Sequence, residues 1–236
     1  MLNNPIFKRE FISAARSGKV KFLVFGYIVI LAMVLVAMWP GGGVLSAVSE
    51  SGRKIFQLFF TVNLTLLMLM IPAFAATSIT SERENDTYPA LYTTLLSPTE
   101  IMLGKLISSI LLLIIIVILA TPIASITALT GGVNVAFIFK VTFLLIVSAV
   151  TYGLLGLLCS TYFSTSSSAI LANYIIILFL AGGTWLPNAL LGNIIGFKSF
   201  WQILRSASPY DAILYILNPD SYKLTMSVYS INPVFN

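Results

Sequence analysis

Four long stretches of this chain contain no Asp, Glu, Lys or Arg: residues 22–49, 55–81, 106–139 and 141–197. A helix needs roughly 20 apolar residues to cross about 30 Å of hydrocarbon. The first three windows each hold one span. The fourth is long enough for two, joined by a turn. The best turn within it is Ser160 to Ser168, STYFSTSSS, rich in hydroxyls and without long aliphatic side chains. Spans are therefore expected near 21–39, 55–78, 102–127, 137–159 and 168–187. Lipid cannot satisfy backbone hydrogen bonds, and these runs lack the alternation of a barrel strand, so the spans are helices. Only 9% of the residues are charged, against about a quarter in soluble domains. The fold class indicated is an all-α integral membrane protein with five transmembrane helices.

Charge placement sets the expected orientation. Five of the 13 basic residues (Lys8, Arg9, Arg16, Lys19 and Lys21) precede the first span. They read as a topology signal rather than a nucleic-acid surface, and they put the N-terminus in the cytoplasm. Alternation then places 40–54 outside, 81–105 inside, 128–140 outside, 160–167 inside and the chain after about 187 outside. Residues 1–20 are polar and amphipathic, with a full-length apolar run behind them, which differs from a cleavable signal peptide. Phe7, Phe11, Ile12, Ala14 and Ala15 form an apolar face and the cations a basic one. This reads as a helix lying flat in the cytoplasmic interface, with Gly18 turning the chain into the membrane. Cys159 is the only cysteine, so no intrachain disulfide forms.

The chemistry that is absent narrows the function. There is no histidine, no phosphate-binding Gly-rich loop, no Gly-x-Ser-x-Gly elbow and no His-Glu-x-x-His pair. No expected span contains an Asp, Glu or His, and lysine occurs only near span edges, whereas ion-coupled transporters commonly place ionisable groups within their spans. Lys105 and Lys140 sit at span edges, where a long side chain can snorkel to the headgroups. The chain is not read as an enzyme, and no cofactor or metal is assigned to it.

Between the second and third windows lies a polar island, Ser81 to Lys105, with six charged residues. Glu82 and Asp86 are four apart and share a face of a helix. Thr87 can cap a new helix with Pro89 in its first turn. Tyr88, Leu91 and Leu95 then fall on one side, with Tyr92 and Leu96 beside them. Such a helix of about ten residues cannot stand alone in water, so it packs on something. Ser97-Pro98-Thr99-Glu100 is a capping box with proline at the first helical position, and a fresh helix runs from it into the third span. A plain amphipathic loop lying on the lipid accounts for the same residues.

Three pieces of the chain together resemble the permease subunits of type-2 ABC transporters. They are Asn4-Pro5-Ile6-Phe7-Lys8-Arg9-Glu10 with Arg16; the run Ser81 to Thr87 followed by Leu95-Leu96-Ser97-Pro98 and Ile101 to Lys105; and Ser208-Pro209-Tyr210-Asp211-Ala212 with Leu217-Asn218-Pro219. The resemblance implies a multi-pass permease of a bacterial or archaeal cell membrane, working as a dimer with a second copy or a paralogous permease. It implies a cytoplasmic ABC ATPase dimer as partner, with ATP and Mg held there, and an exporting direction. The N-terminal helix is then the connecting helix. The stretch after span two is the coupling helix, with Glu82, Arg83, Glu84, Thr87, Tyr88, Leu91, Tyr92, Leu95 and Leu96 at the ATPase contact. Ser97, Pro98, Glu100, Gly104 and Lys105 form the return into the membrane. The family has six spans and this chain shows five, so the chain is expected to be a shortened form of a longer protein.

Polar residues within spans are the remaining lead. Gln57, Asn63, Thr65 and Asn173 could line a translocation path, and interhelical hydrogen bonding explains them equally. Pro72 and Pro122 mark expected kinks. Residues 184–201 combine Trp185, Phe197, Phe200 and Trp201 with Gly and Asn breaks, as an outer gate or as aromatic anchors at the interface. Residues 188–236 are expected at the outer face. Two other classes stay open: a secondary transporter or channel, and a membrane anchor or receptor that recruits a cytoplasmic protein through the island.

Overall fold

The computed structural model describes residues 5–39, 48–86, 98–129, 135–182 and 208–217. These residues form eight α-helices and two π-helical segments in the order α1 (Pro5–Arg16), α2 (Gly18–Ala37), α3 (Val48–Ile71), a π segment (Pro72–Ala76), α4 (Thr80–Glu84), α5 (Pro98–Leu129), α6 (Val135–Tyr162), α7 (Ser166–Ile177), a second π segment (Leu178–Gly182) and α8 (Pro209–Leu217). No strand occurs among them, and the chain is an all-α membrane protein.

Four helices among the described residues are long and apolar enough to cross a membrane: Gly18–Ala37, Gly52–Ala76, Leu103–Thr127 and Ala136–Tyr162. The fifth apolar helix, Ser166–Ala181, is shorter. The remainder of its expected window lies outside the described residues, as do the stretch Thr87 to Leu96, Ser97, the aromatic segment 184–201 and residues 218–236.

The second span is the hub. It buries 56% of its apolar window, whereas α2 buries 17% of its own and faces outward elsewhere. Phe56, Phe59, Phe60, Leu64, Leu67 and Ile71 of α3 meet Leu31 of α2, Leu113 and Ile116 of α5, Leu145 of α6 and Ile213 of α8 in one core. Phe56 and Phe60 lie 4.6 Å apart, and Phe59 meets Phe60 edge-on at 5.4 Å. Lipid tails are as apolar as leucine, so van der Waals fit and interhelical hydrogen bonds hold such helices together. One such bond runs from the Tyr27 hydroxyl to Asn63 Oδ1 at 2.7 Å, buried between α2 and α3.

The two span prolines have different consequences. Pro122 lies inside α5, which continues through it. A proline leaves the carbonyl four residues earlier without its donor. Here that carbonyl belongs to Ile118, and the Thr121 hydroxyl donates to it at 2.7 Å. Pro72 instead opens a π segment, the usual response of a helix that loses its regular ladder. In and after this segment hydroxyls bond main-chain carbonyls: Thr77 Oγ1 donates to Ala73 O at 2.7 Å and Ser78 Oγ to Ala75 O at 2.9 Å.

Helix α8, the described part of the segment expected at the outer face, is packed into the bundle. Its Ile213 enters the main core, the Tyr210 hydroxyl bonds Thr65 Oγ1 at 2.9 Å, and Ser208 Oγ donates to Ala181 O at 3.0 Å. Too short to cross, it wedges between α3 and α6.

Gly156 of α6 permits the closest approach to the Pro72 segment. A Cβ there would lie 2.6 Å from Asn173 Nδ2 and 2.8 Å from the Ala75 Cβ, while one on Gly26 would meet nothing within 4 Å. Gly156→Ala is expected to destabilise the bundle by about 1–3 kcal/mol through overpacking. Gly26→Ala should be neutral or slightly stabilising, because alanine is the better helix former by about 1 kcal/mol. Thermal unfolding of the purified protein in detergent checks both. Equal behaviour of the two variants would refute the close packing at Gly156.

Candidate functional site

The charged residues of the island gather at one end of the bundle, where α1 meets α2 and where α3, α5, α6 and α7 begin or end. Glu82, Arg83 and Glu84 are consecutive in α4, and each binds a different neighbour.

Glu82 faces α5. Its Oε1 lies 2.8 Å from Lys105 Nζ. The same ammonium donates to the main-chain oxygen of Ser78 at 2.7 Å and lies 3.5 Å from Glu10 Oε1 of α1. The Lys105 side chain is 3% exposed. One buried cation thus holds together the N-terminal helix, the exit of the second span and the entry of the third. Lys105 does not snorkel to the headgroups as its place at a window edge suggested. A carboxylate on each side and the Ser78 carbonyl draw it inward instead. A half-open polar cleft of ≈ 190 Å³ lies beside it, lined by Thr77, Ser78, Ser81, Ser108 and Ser109 among others.

Arg83 turns the other way. Its Nη1 donates to Phe163 O at 3.0 Å and its Nη2 to Thr161 O at 3.1 Å. These carbonyls close the C-terminus of α6, where helix ends leave acceptors unpaired and favour positive charge. Glu84 caps the next helix. Its Oε1 accepts the Ser166 backbone N–H at 2.7 Å and its Oε2 the Ser166 hydroxyl at 2.6 Å. Thr165, the residue at the N-cap of α7, makes no side-chain cap of its own, so Glu84 supplies that acceptor from a distant segment. The two bonds from Ser166 hold the Glu84 carboxyl below the usual carboxylate range. This cap is therefore complete at neutral pH and is lost only as pH falls through that lowered value.

The turn between α6 and α7 answers in kind. Ser160 Oγ accepts the backbone N–H groups of Ile79 at 2.8 Å and Thr80 at 3.1 Å, capping the start of α4. Ser166 Oγ also reaches Thr80 Oγ1 at 3.0 Å. The hydroxyl-rich turn read from the sequence is thus a set of partners for the charged exit of the second span.

Helix α4 ends at Glu84. Asn85 donates through Nδ2 to Ser81 O at 2.7 Å, and Asp86 adopts φ 54, a left-handed conformation that Asp tolerates better than most residues. Glu82 and Asp86 therefore do not share a helix face as the spacing predicted. The chain then leaves toward Thr87, Tyr88, Leu91, Tyr92, Leu95 and Leu96, outside the described residues. Helix α5 begins at Pro98, at the position the capping box indicates, and Gly104 is buried one residue before Lys105.

The four candidate path residues do not act as one group. Asn63 is taken up by Tyr27. Gln57 is half-buried, with its carbonyl accepting Thr61 Oγ1 at 2.8 Å. Thr65 is exposed and bonds Thr61 O at 2.8 Å besides Tyr210. Asn173 is fully buried, packed beside Gly156 and Ala75, and neither its amide nitrogen nor its oxygen has a hydrogen-bond partner. What sequence reasoning missed is the pairing of Lys105 with Glu10 and of Arg83 and Glu84 with the 160–166 turn. Each joins residues far apart in the chain, and no local pattern carries that information.

Removing the buried cation tests the cluster. Lys105→Met is expected to cost about 3 kcal/mol, because breaking a buried pair leaves its partners uncompensated. Glu82 bears most of this, since the Glu10 side chain is 39% exposed and its contribution is screened by water. Adding Glu82→Gln to Lys105→Met should restore part of the loss. Thermal unfolding of the single and double variants measures it, and a strictly additive result would mean that the two side chains are not coupled.

The chain matches the family model of the ABC-2 type transporter over residues 5–217. No curated protein matches it significantly. The family match takes in the N-terminal helix, the charged cluster and α8, and the protein belongs to the ABC-2 type transporter family, as a membrane-spanning transport subunit that is not itself catalytic.

Proposed function

We propose that this subunit exports its substrate by coupling to a cytoplasmic ABC ATPase dimer through residues 82–96. The observation that carries this is the three-way tie at Glu82, Arg83 and Glu84. The segment that leaves the bundle at Asp86 is anchored, within three residues, to α5 through Lys105, to the end of α6 through Arg83 and to the start of α7 through Glu84. A push on residues 87–96 from outside would reach three spans at once. Docking there must favour one arrangement of the bundle over another to transmit energy.

In this reading Thr87, Tyr88, Leu91, Tyr92, Leu95 and Leu96 meet the ATPase, with Leu91 and Leu95 as apolar anchors. The side chains of Glu82, Arg83 and Glu84 transmit rather than touch. ATP and Mg bind in the partner. The permease works as a dimer, with a second copy or a paralogue, in the cell membrane of a bacterium or archaeon, and its N-terminus is cytoplasmic. The five basic residues before the first span support that orientation.

Docking and transmission separate experimentally. Leu91→Asp with Leu95→Asp should abolish co-purification of the ATPase while leaving membrane insertion intact. Arg83→Ala should leave co-purification at normal stoichiometry and lower transport by the assembled complex about tenfold or more, equivalent to about 1.4 kcal/mol. ATPase co-purification and transport in reconstituted vesicles are the measurements. Normal stoichiometry in the double aspartate variant would exclude the proposed contact. Unchanged transport by Arg83→Ala would exclude the tie as its transmitter.

A further inference from the structure

The sequence places the apolar face of α1 in the lipid interface, but the structure turns Phe7, Phe11 and Ala14 of that face toward the bundle and leaves Ile12 and Ala15 exposed. Phe7 and Phe11 stack with their rings 6.0 Å apart, Ala14 packs against the main core, and Glu10 points to Lys105. Glu10 is also the only acidic residue among the first 49. The opposite face is left outward, carrying Lys8, Arg9, Ile12, Ser13 and Arg16, all exposed. These residues keep the three- and four-residue spacing of one helix side, and Lys8 and Arg16 stand about 12 Å apart along the axis at 1.5 Å per residue. Together with Ser17 they line an open groove of ≈ 770 Å³. Among the described residues no ion pair neutralises these cations.

Helix α2 fixes the height of this groove. Ser17, with φ −60 and ψ 128, breaks the preceding helix, and α2 starts at Gly18. Lys19 and Lys21 are exposed in its first turn. Phe22 is 75% exposed and Phe25 66%, as lipid-facing side chains are. The basic face ends at Arg16, six residues before Phe22, and so lies close to where the chain enters hydrocarbon, which is headgroup depth.

We propose that the outward face of α1 is a binding site for the phosphate headgroup of an anionic membrane lipid. The guanidinium groups of Arg9 and Arg16 suit bidentate contact with phosphate oxygens, and Lys8 adds a third charge. The hydroxyls of Ser13 and Ser17 supply neutral donors between them. Ile12 is apolar, sits in the middle of the basic face and is 39% exposed, as befits contact with the glycerol and upper acyl region. A polar protein surface gives such a residue no partner, which favours lipid over an acidic face of another subunit. The helix thus holds lipid by headgroup recognition, with Phe7, Phe11 and Ala14 turned toward the bundle.

The test uses the full chain in nanodiscs of phosphatidylcholine mixed with phosphatidylglycerol, with lipid retained on the protein counted by native mass spectrometry. The wild-type protein should retain phosphatidylglycerol preferentially, and added salt should weaken the preference. Lys8→Gln, Arg9→Gln and Arg16→Gln should each lower the preference roughly fivefold, and more in combination. Lys8→Arg should preserve it. Thermal unfolding in detergent should be unchanged, since all three side chains are exposed. A wild-type protein without preference, or a triple variant that keeps it, would overturn the proposal. So would a triple variant that retains the preference but no longer co-purifies with the ATPase, which would assign this face to the protein partner.

Discussion

The second span ends in an irregular π-helical turn that opens on Pro72, and the arrangement of the charged end depends on the carbonyls presented in and just beyond that turn. Within hydrocarbon an unsatisfied carbonyl is costly, about 1–3 kcal/mol even by the measure of soluble proteins. The helix could have kinked and continued. Instead it widens into a π segment over Pro72–Ala76, and the carbonyls in and just beyond it are met by the hydroxyls of Thr77 and Ser78 and by the ammonium of Lys105. At Pro122 a single hydroxyl, that of Thr121, fills the vacancy and α5 runs on. The second span lies where the chain must leave the membrane, and its opened end gives a buried lysine a carbonyl to bind.

Lys105 is then placed where a lone ammonium would be intolerable. Its position is tenable because two carboxylates from other segments reach it, Glu82 from α4 and Glu10 from α1. Such a buried group adds less to stability than its Coulomb energy suggests, because desolvation offsets the attraction. Its effect is specificity: the arrangement with α1 against α5 and α4 against α5 is the one in which all three charges are compensated. The same logic applies at Arg83 and Glu84, which meet helix ends rather than opposite charges. A guanidinium on the last carbonyls of α6 and a carboxylate on the first N–H of α7 each match the sign of the helix terminus.

The four long apolar helices were legible in the sequence because exclusion of charge from hydrocarbon acts on every residue of a long window. The start of α5 was legible because capping is local, and Pro98 marks it. Of the Ser160–Ser168 stretch read as a turn only residues 163–165 lie between α6 and α7, and its hydroxyls gave no sign that they would cap α4 and receive Glu84. Lys105 was misplaced for the same reason. Its distance from the window edge is visible in the sequence, but the presence of Glu10 beside it depends on α1 folding back along α5. The pairing of Glu82 with Asp86 failed on a local matter, the left-handed turn at Asp86, for which the Asn-Asp dipeptide was a usable signal.

The Glu-Arg-Glu run is among the features by which this chain resembles its family, and its geometry assigns each of the three residues a structural partner inside the subunit. A motif read as a docking surface is thus first a tie among α5, α6 and α7. This does not weaken its bearing on function. A short helix outside the membrane can move spans only if its attachment is stiff, and stiffness is what consecutive charged bonds to three helices supply. In the proposed coupling, recognition of the partner falls to the apolar residues beyond Asp86, while the charges that make the run conspicuous determine how far a displacement there is felt.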